Sequence, residues 1–271
     1  MADTARTAIL FAVPGTSCPE AEVAFGNITE HARRRFPGTS IYWAYTSEGV
    51  RRRLSERGRH VDSPTQALEQ IREEGITHLV LHPLHTVAGT EYEDLAASAA
   101  EFQQLTAGKT TVHVGMPLLL CRDEFIHTVR VLVSELCSQD NKDEALVLMA
   151  HGTQNKATAK TLCNAAKWCR ELDTNVFMGT LIRPPLIDEV IEGCKLAGIK
   201  RAFLAPLMIV AGYTARCELA GQGDDTGNSW YRKLSETGVD CLPVIKGLGE
   251  YDRIVETWMD RIQPTIDAWT T

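Results

Sequence analysis

The chain has 271 residues, of which 44% are apolar and 23% are charged. This is an ordinary globular balance, and it argues against a disordered or low-complexity chain. The formal net charge of -7 and the sequence pI near 5.7 give no basic footprint for nucleic acid or for an anionic membrane. No apolar run is long enough to cross a membrane and no signal peptide is recognisable, so we expect a soluble cytoplasmic protein.

Short apolar runs alternate along the chain with longer stretches of helical period. The runs lie at 8–13, 41–45, 78–84, 111–115, 145–150, 175–179, 201–210 and 241–245. Most are apolar nearly throughout rather than alternating, which is typical of parallel strands buried on both faces. After the fifth run, apolar residues recur with helical spacing from Leu162 to Leu172, which predicts an amphipathic helix. The repeated order strand, helix, strand predicts an open α/β sheet with right-handed crossovers.

The two halves of the chain resemble each other in sequence. The aligned segments are 8–16 with 145–153, 41–49 with 175–183, and 78–91 with 201–214. These alignments place Pro14 opposite His151, Glu48 opposite Ile182, and Glu91 opposite Thr214. The pattern predicts two similar α/β halves, 1–137 and 145–271, each with a four-stranded parallel sheet flanked by helices. The polar segment 138–144 is the predicted boundary.

Ligands of open parallel sheets bind beyond the carboxyl ends of the strands, where loops from several strands converge. Several polar residues follow predicted strands in this way. They are His85, Glu91, His151, the turn at 180–185 and the loop at 210–217. We therefore expect these residues to face a cleft between the two halves.

Five motifs in the chain carry a family resemblance. They are HGT (151–153), GTLIRPPLIDEV (179–190), APLMIVAGYTARCELAG (205–221), PLHTVAGTEYEDL (83–95) and IKGLGEY (245–251). Together they resemble the class II chelatases, specifically the anaerobic sirohydrochlorin cobaltochelatases of the CbiK type. The resemblance implies a ferrochelatase-like fold and insertion of Co²⁺ or Fe²⁺ into a sirohydrochlorin-type tetrapyrrole without ATP. It places this reaction in cobalamin or sirohaem biosynthesis.

The resemblance also implies a ligand set for the metal, of which this chain keeps one member. His151 matches the first family ligand and would serve as ligand and proton acceptor. Where the family has Glu after its Gly-Thr pair this chain has Ile182, and where the family has Asp-His after VAG it has Tyr213 and Thr214. Neither Ile182 nor Thr214 can replace a carboxylate or an imidazole as a metal ligand.

Three interpretations of this substitution remain open. In the first, the metal site has moved to the first half, where Glu91, His85 and Glu48 would act with His151. Glu91 is the favoured carboxylate because it follows VAG, as the family's second His does in the other half, and it would be catalytic together with His151. The ordinary alternatives are a solvated loop carboxylate for Glu48 and Glu91 and a packed core imidazole for His85.

In the second interpretation the protein binds haem or a related macrocycle without metalating it. Arg183 and Arg216 would then pair with ring carboxylates. Tyr213 would stack on the ring or ligate a ferric haem, with Thr214 beside it. In the third, the scaffold serves an unrelated reaction, for which no motif is present. Metal insertion is the leading hypothesis.

Cofactors and partners follow from the same motifs. A divalent metal is expected as substrate, and no phosphate-binding or dinucleotide-binding motif supports a nucleotide cofactor. The expected partner is a tetrapyrrole rather than nucleic acid or a membrane, and the sequence leaves a homo-oligomer open. The eight cysteines contain no CxxC pair, which indicates free thiols in a reducing compartment.

Overall fold

A computed structural model describes residues 6–138, 141–173, 175–223 and 226–270. The chain forms two compact units, one made of Met1–Leu118 with Asp252–Thr271 and the other of Leu119–Tyr251. Each unit contains a four-stranded parallel sheet in which the first strand of the unit lies second in the sheet. Within the described part of the chain, no helix combines the length and the apolar character that membrane crossing requires.

The first unit begins with four strands and four helices. In chain order they are β1 (Thr7–Val13), α1 (Val23–Arg35), β2 (Ser40–Tyr45), α2 (Glu48–Glu56), α3 (Pro64–Glu73), β3 (His78–Pro83), α4 (Thr90–Leu105) and β4 (Thr111–Val114). The strand order is β2-β1-β3-β4, and all pairs are parallel.

The second unit repeats this arrangement. Its elements are α5 (Arg122–Leu136), β5 (Glu144–Gly152), α6 (Lys156–Leu172), β6 (Val176–Ile182), α7 (Ile187–Leu196), β7 (Arg201–Pro206), a π-helical segment (Thr214–Leu219), α8 (Trp230–Ser235) and β8 (Asp240–Pro243). The strand order is β6-β5-β7-β8, again parallel throughout. The chain ends with α9 (Asp252–Thr270), which belongs to the first unit.

The compact units differ from the predicted halves 1–137 and 145–271 at two helices. The helix α5 lies in the first predicted half but packs within the second unit, where its Phe125 ring lies 6.1 Å from that of Trp168 on α6. The helix α9 lies in the second predicted half but packs within the first unit, where Arg35 of α1 forms an ion pair of 2.9 Å with Asp260. The predicted boundary at 138–144 leads into β5, and its residues 139 and 140 lie outside the described residues.

All eight predicted strands are confirmed, with ends shifted by a few residues. The side chains of the inner strands are largely buried on both faces; in β1, the residues 8–13 are at most 1% exposed. A parallel strand between two helical layers has no face for water, and this explains why the apolar runs do not alternate. The two sheets and their helices match the predicted fold class.

The helix predicted after His151 is also confirmed, as α6. It begins after Asn155, whose Oδ1 accepts hydrogen bonds from the main-chain nitrogens of Ala157 (2.9 Å) and Thr158 (3.3 Å). This cap satisfies two amide groups that have no partner inside the helix. The buried face of α6 includes Leu162 and Cys169, in the predicted spacing.

The cysteines are free thiols, as predicted. Burial raises the pKa of the Cys169 and Cys194 thiols to about 12, so both remain protonated and pack as small apolar side chains.

The strand registers confirm two of the three internal alignments and correct the third. Thr7 pairs with His78 in the first sheet, and Glu144 pairs with Arg201 in the second, as the alignments of the first and third strands require. The second strands differ, because Ala12 pairs with Ala44 whereas its counterpart Met149 pairs with Gly179. Following the register outward, Ser47 rather than Glu48 corresponds to Ile182, and Glu48 corresponds to Arg183. The proposed pairing of Glu48 with Ile182 is therefore wrong by one residue.

His82 is a buried titratable residue in the core of the first unit. Its side chain lies in β3, edge-on to Phe11 with ring centroids 6.0 Å apart, and is only 2% exposed. Among the described residues its Nε2 has no hydrogen-bond partner. Burial, aided by the charges of Arg261 and His113, lowers the pKa of His82 from 6.5 to about 3. The folded protein therefore holds a neutral imidazole that the unfolded chain protonates more readily.

This difference predicts a loss of stability in mild acid. Because the folded-state pKa is depressed, the free energy of unfolding falls as the pH drops from 6.5 towards 3, by up to about 5 kcal/mol from this residue. Replacement His82→Leu should make the free energy of unfolding less dependent on pH in this range. Urea unfolding at several pH values measures this dependence. The matched control is His60→Leu, which removes an exposed histidine and should keep the wild-type slope. Equal slopes for His82→Leu and wild type would contradict the prediction.

Candidate active site

His151 stands at the end of β5, where the chain turns sharply. Its side chain is exposed, and within the described residues its Nδ1 makes only a long contact of 3.5 Å, to the carbonyl oxygen of Gly152. Gly152 has φ +85° and pairs with Ile182 of β6. A Cβ at Gly152 would collide with the main chain of Ile182, so only glycine allows this strand pair to continue past His151. The turn therefore presents the imidazole to solvent at the carboxyl end of the sheet.

Three side chains meet at the corresponding edge of the first unit. We call Thr46, His85 and Glu91 the edge cluster. The Thr46 hydroxyl donates to Glu91 Oε2 at 2.6 Å and lies 3.0 Å from His85 Nε2. His85 Nε2 lies 3.5 Å from the same carboxylate oxygen. The structure thus brings together two of the predicted site residues, His85 and Glu91, and joins them through a hydroxyl group.

Each member of the edge cluster comes from a different loop. Thr46 directly follows β2, His85 follows β3, and Glu91 lies in the first turn of α4. The His85 ring is 7% exposed, whereas the Glu91 side chain is 41% exposed. The cluster therefore has a buried imidazole behind a carboxylate that solvent reaches.

The environment of Glu91 favours its ionised form. The hydrogen bond from His85 lowers the pKa of the Glu91 carboxyl, and Thr46 and the charges of His85 and Arg51 act in the same direction. Partial burial opposes this effect but does not reverse it. A carboxylate that accepts hydrogen bonds from its neighbours and remains accessible is a suitable acceptor for a proton or a cation.

Sequence reasoning did not identify Thr46 or Arg51 as functional residues. Arg51 of α2 donates from Nη1 to the carbonyl oxygens of Tyr45 (2.5 Å) and Thr46 (2.9 Å), so it fixes the end of β2. The available signal was the position of Thr46, directly after a predicted strand. Threonine is common at such places, and only the three-dimensional contacts distinguish this one.

Glu48 lies apart from these contacts. It is the exposed first residue of α2, and no shared contact with His85 or Glu91 is seen among the described residues. Its nomination rested on the alignment with Ile182, which the strand register does not support. Glu48 as a metal ligand stays a prediction, without the symmetry argument.

The predicted ring-binding residues follow β6 and β7 in the second unit. Arg183 is exposed and has φ +65°, a conformation that is uncommon for a residue with a Cβ. Tyr213 is 68% exposed and directly precedes the π-helical segment, which begins with the partly buried Thr214. Arg216 donates from Nε to the carbonyl oxygen of Ala211 at 3.2 Å. In the part of the chain that the structure describes, no other hydrogen bond or ion pair engages the guanidinium groups of Arg183 and Arg216.

The side chains of the described residues do not form a ready metal cage. No group of three or more His, Cys, Asp or Glu side chains suited to holding a metal lies among them. The edge cluster of the first unit contains one imidazole and one carboxylate, and His151 is an exposed imidazole of the second unit. These are the ligand types that Co²⁺ and Fe²⁺ accept.

Comparison with solved structures places the fold in a recognised class. The chain is similar to the chelatase SirB from Bacillus subtilis, solved with Fe³⁺, with a TM-score of 0.64 over 96% of this chain and 95% of that one, at 15% identity. A second structure, the sirohydrochlorin chelatase SirB from Bacillus subtilis subspecies spizizenii in complex with cobalt, gives a TM-score of 0.57 at 14% identity, covering 96% of this chain and 95% of that one. The two parallel sheets thus have the fold of the class II chelatases.

The sequence comparisons identify the family within that class. The family model for cobalt chelatase (CbiK) matches residues 7–267, and the chain belongs to this family. It is 32% identical to the sirohydrochlorin cobaltochelatase CbiKC of Nitratidesulfovibrio vulgaris, covering 97% of this chain and 92% of that relative. It is 29% identical to the sirohydrochlorin cobaltochelatase of Salmonella typhimurium, covering 79% of this chain and 78% of that relative. The resemblance noted from the motifs is confirmed.

The turn at Gly152 generates a stability prediction. Gly152→Ala should lower the free energy of unfolding by about 3 kcal/mol or more, because the added Cβ meets main-chain atoms in addition to the strain of a positive φ. The control is Gly58→Ala, at φ +75° with open space around it, which should cost only about 1 to 2 kcal/mol. Urea unfolding measures both, and equal losses would show that the contact with Ile182 is relieved without cost.

Proposed function

We propose that this protein inserts a divalent metal ion, Co²⁺ or Fe²⁺, into a sirohydrochlorin-type tetrapyrrole without ATP. Membership of the cobalt chelatase family over residues 7–267 carries the proposal. The names of both curated relatives give the same reaction class. The edge cluster supports it, since its chemistry suits the step that this reaction requires.

Metal insertion is an exchange of charge at the centre of the ring. Two pyrrole nitrogens lose their protons while the four nitrogens of the ring take up one divalent ion. The metal complex therefore has the same net charge as the metal-free ring. A protein that accelerates this exchange has to bind the ion, hold the ring and accept protons. Each of these tasks makes different demands on a side chain.

Glu91 is the proposed proton acceptor. Its Oε2 accepts hydrogen bonds within the edge cluster, whereas its Oε1 has no hydrogen-bond partner among the described residues. The depressed pKa keeps the carboxylate ionised before the reaction. A free oxygen on an accessible anion provides a site for a pyrrole proton and balances the charge of an arriving cation.

The metal is handled by imidazole and carboxylate groups in this proposal. His151, exposed at the end of β5, is the proposed ligand from the second unit. Glu91, His85 and, on the sequence argument alone, Glu48 are the proposed contributors from the first. The metal is a substrate here, so an open and incomplete ligand set is what its transfer to the ring requires.

Ring carboxylates are the proposed partners of Arg183 and Arg216, with Tyr213 and Thr214 contacting the macrocycle beside them. Sirohydrochlorin-type rings carry many carboxylates, and guanidinium groups recognise these in bidentate geometry. The described part of the chain offers these two arginines no acidic partner, which leaves their charge available for a ligand.

The direct test mixes the purified protein anaerobically with sirohydrochlorin and Co²⁺ or Fe²⁺, without nucleotide, and follows the Soret and visible bands. Conversion faster than in buffer is the expected result. A shifted spectrum without conversion would overturn the proposal in favour of a non-catalytic tetrapyrrole-binding protein.

Replacement Glu91→Gln keeps the size of the side chain and removes its charge. We expect turnover to fall by about 100-fold or more, because a positioned proton acceptor contributes on that scale, with little change in ring binding. The matched control is Glu93→Gln, an exposed carboxylate in the same helical turn, which should remain close to wild type. Wild-type turnover in Glu91→Gln would remove this residue from the mechanism.

The arginines give a separate prediction about ring binding. Arg183→Ala or Arg216→Ala should weaken sirohydrochlorin binding by about 1.5 to 3 kcal/mol, the cost of losing a charge-assisted pair. Absorption titrations measure the dissociation constants. Arg232→Ala, which removes an exposed arginine already paired with Glu236, serves as control and should bind as wild type. Unchanged dissociation constants for both test variants would exclude ring recognition by these residues.

A further inference from the structure

The hydroxyl group of Thr46 lies at the centre of the edge cluster. Three polar atoms surround its Oγ1: Glu91 Oε2 at 2.6 Å, His85 Nε2 at 3.0 Å and the carbonyl oxygen of Val13 at 3.1 Å. The family resemblance assigns no role to this residue. Its contacts nevertheless connect two predicted site residues of the first unit, His85 and Glu91.

The number of available hydrogens fixes how these contacts are made. A threonine hydroxyl has one proton to donate and two lone pairs. The carboxylate of Glu91 only accepts, so the single proton of Thr46 points to it at the shortest of the three distances. His85 Nε2 cannot receive the same proton, so it must carry a hydrogen of its own, which is shared between Thr46 Oγ1 at 3.0 Å and Glu91 Oε2 at 3.5 Å. The hydroxyl thus fixes both the carboxylate and the tautomer of the imidazole.

Thr46 is itself held firmly. Its main-chain nitrogen donates to the carbonyl oxygen of Val13 at 2.7 Å, and its own carbonyl oxygen accepts from Arg51 at 2.9 Å. Because the main-chain N–H of Thr46 already donates to the carbonyl oxygen of Val13, the hydroxyl proton is free for Glu91. Because both main-chain polar groups of Thr46 are hydrogen-bonded, its hydroxyl has a well-defined position from which to orient its partners.

The second unit shows that the fold does not require this hydroxyl. By the strand register, the counterpart of Thr46 is Leu181, which packs against the apolar core of its unit. The nearby Thr180 uses its hydroxyl for the turn, where the carbonyl oxygens of Ile182 and Arg183 are its two possible acceptors. The same architecture therefore forms with an apolar residue at this position.

We propose that Thr46 is a positioning residue, whose hydroxyl orients the Glu91 carboxylate and the His85 imidazole for metal insertion. This inference rests on the proposed function. Thr46 acts through Glu91 and leaves ring binding to other residues.

The test compares Thr46→Val, which removes only the hydroxyl, with Thr46→Ser, which keeps it. Turnover should fall about tenfold in Thr46→Val, as expected for one lost hydrogen bond to a charged group, and should recover in Thr46→Ser. The dissociation constant for sirohydrochlorin should stay within about twofold in both. The control is Thr110→Val, which removes a buried hydroxyl of the same unit that donates to Ile76. Wild-type turnover in Thr46→Val, or an equal loss in Thr110→Val, would overturn the proposal.

A double-mutant cycle separates positioning from general destabilisation. If Thr46 acts through Glu91, the double variant Thr46→Val with Glu91→Gln should lose no more turnover than Glu91→Gln alone. Multiplication of the two separate losses would show that Thr46 acts independently and would overturn the inference.

A spectroscopic measurement distinguishes failure of this inference from failure of the proposed function. In protein labelled with ¹³C at glutamate carboxyl groups, the Glu91 resonance is assigned by its loss in Glu91→Gln. At a fixed neutral pH it should move in Thr46→Val and stay in place in Thr46→Ser and Thr110→Val. An unmoved resonance overturns the positioning role whatever the activity. Absence of metal insertion by wild type, with the resonance shifted as expected, overturns the proposed function and with it the catalytic purpose of the contact.

Discussion

The register of three parallel strands, β2, β1 and β3, determines which side chains meet at the carboxyl edge of the first unit. β1 lies between the other two, and its last residues pair with Tyr45 on one side and Pro83 on the other. Neighbouring strands lie about 4.8 Å apart, so residues that leave the sheet at the same level are within reach of one side chain. Thr46 leaves β2 at this level and His85 follows β3. The first turn of α4 then brings Glu91 to both. A shift of one residue in either pairing would turn these side chains to other faces.

Much of this architecture could be predicted from the sequence, because the apolar runs and their spacing report burial directly. The strands, the amphipathic helix α6 and the duplication all follow from patterns that a parallel sheet imposes. The register of β2 and β6 could not be obtained in the same way. Both strands are apolar nearly throughout, so a slip of one residue leaves the pattern almost unchanged. The sequence alignment was displaced by one residue in this way, so it paired Ile182 with Glu48 instead of Ser47.

The helices α5 and α9 show a second limit. Chain order assigned α5 to the first half and α9 to the second. In the structure α5 packs within the second unit and α9 within the first. Beside its buried apolar face, α9 makes charged contacts with α1: Glu256 lies 2.6 Å from His31, and Asp260 pairs with Arg35. Such surface charges look in sequence like any solvated helix face. Similarly, His85 and Glu91 could be nominated because they follow a strand, whereas Thr46 acquires its significance only from the atoms around its hydroxyl.

The duplication also explains why the two edges can differ in chemistry while the fold remains the same. Glu91 stands where the second unit has Thr214, and Pro14 stands where it has His151. On the proposed function, this asymmetry resolves a conflict within the reaction. A lone pair that binds the metal cannot at the same moment accept a pyrrole proton, so a single group serving both tasks would have to release one before taking the other. If His151 binds the metal and the free oxygen of Glu91 takes the proton, as proposed, the two transfers use separate lone pairs. The His85 and Thr46 hydrogen bonds then keep the carboxylate ready without occupying that oxygen.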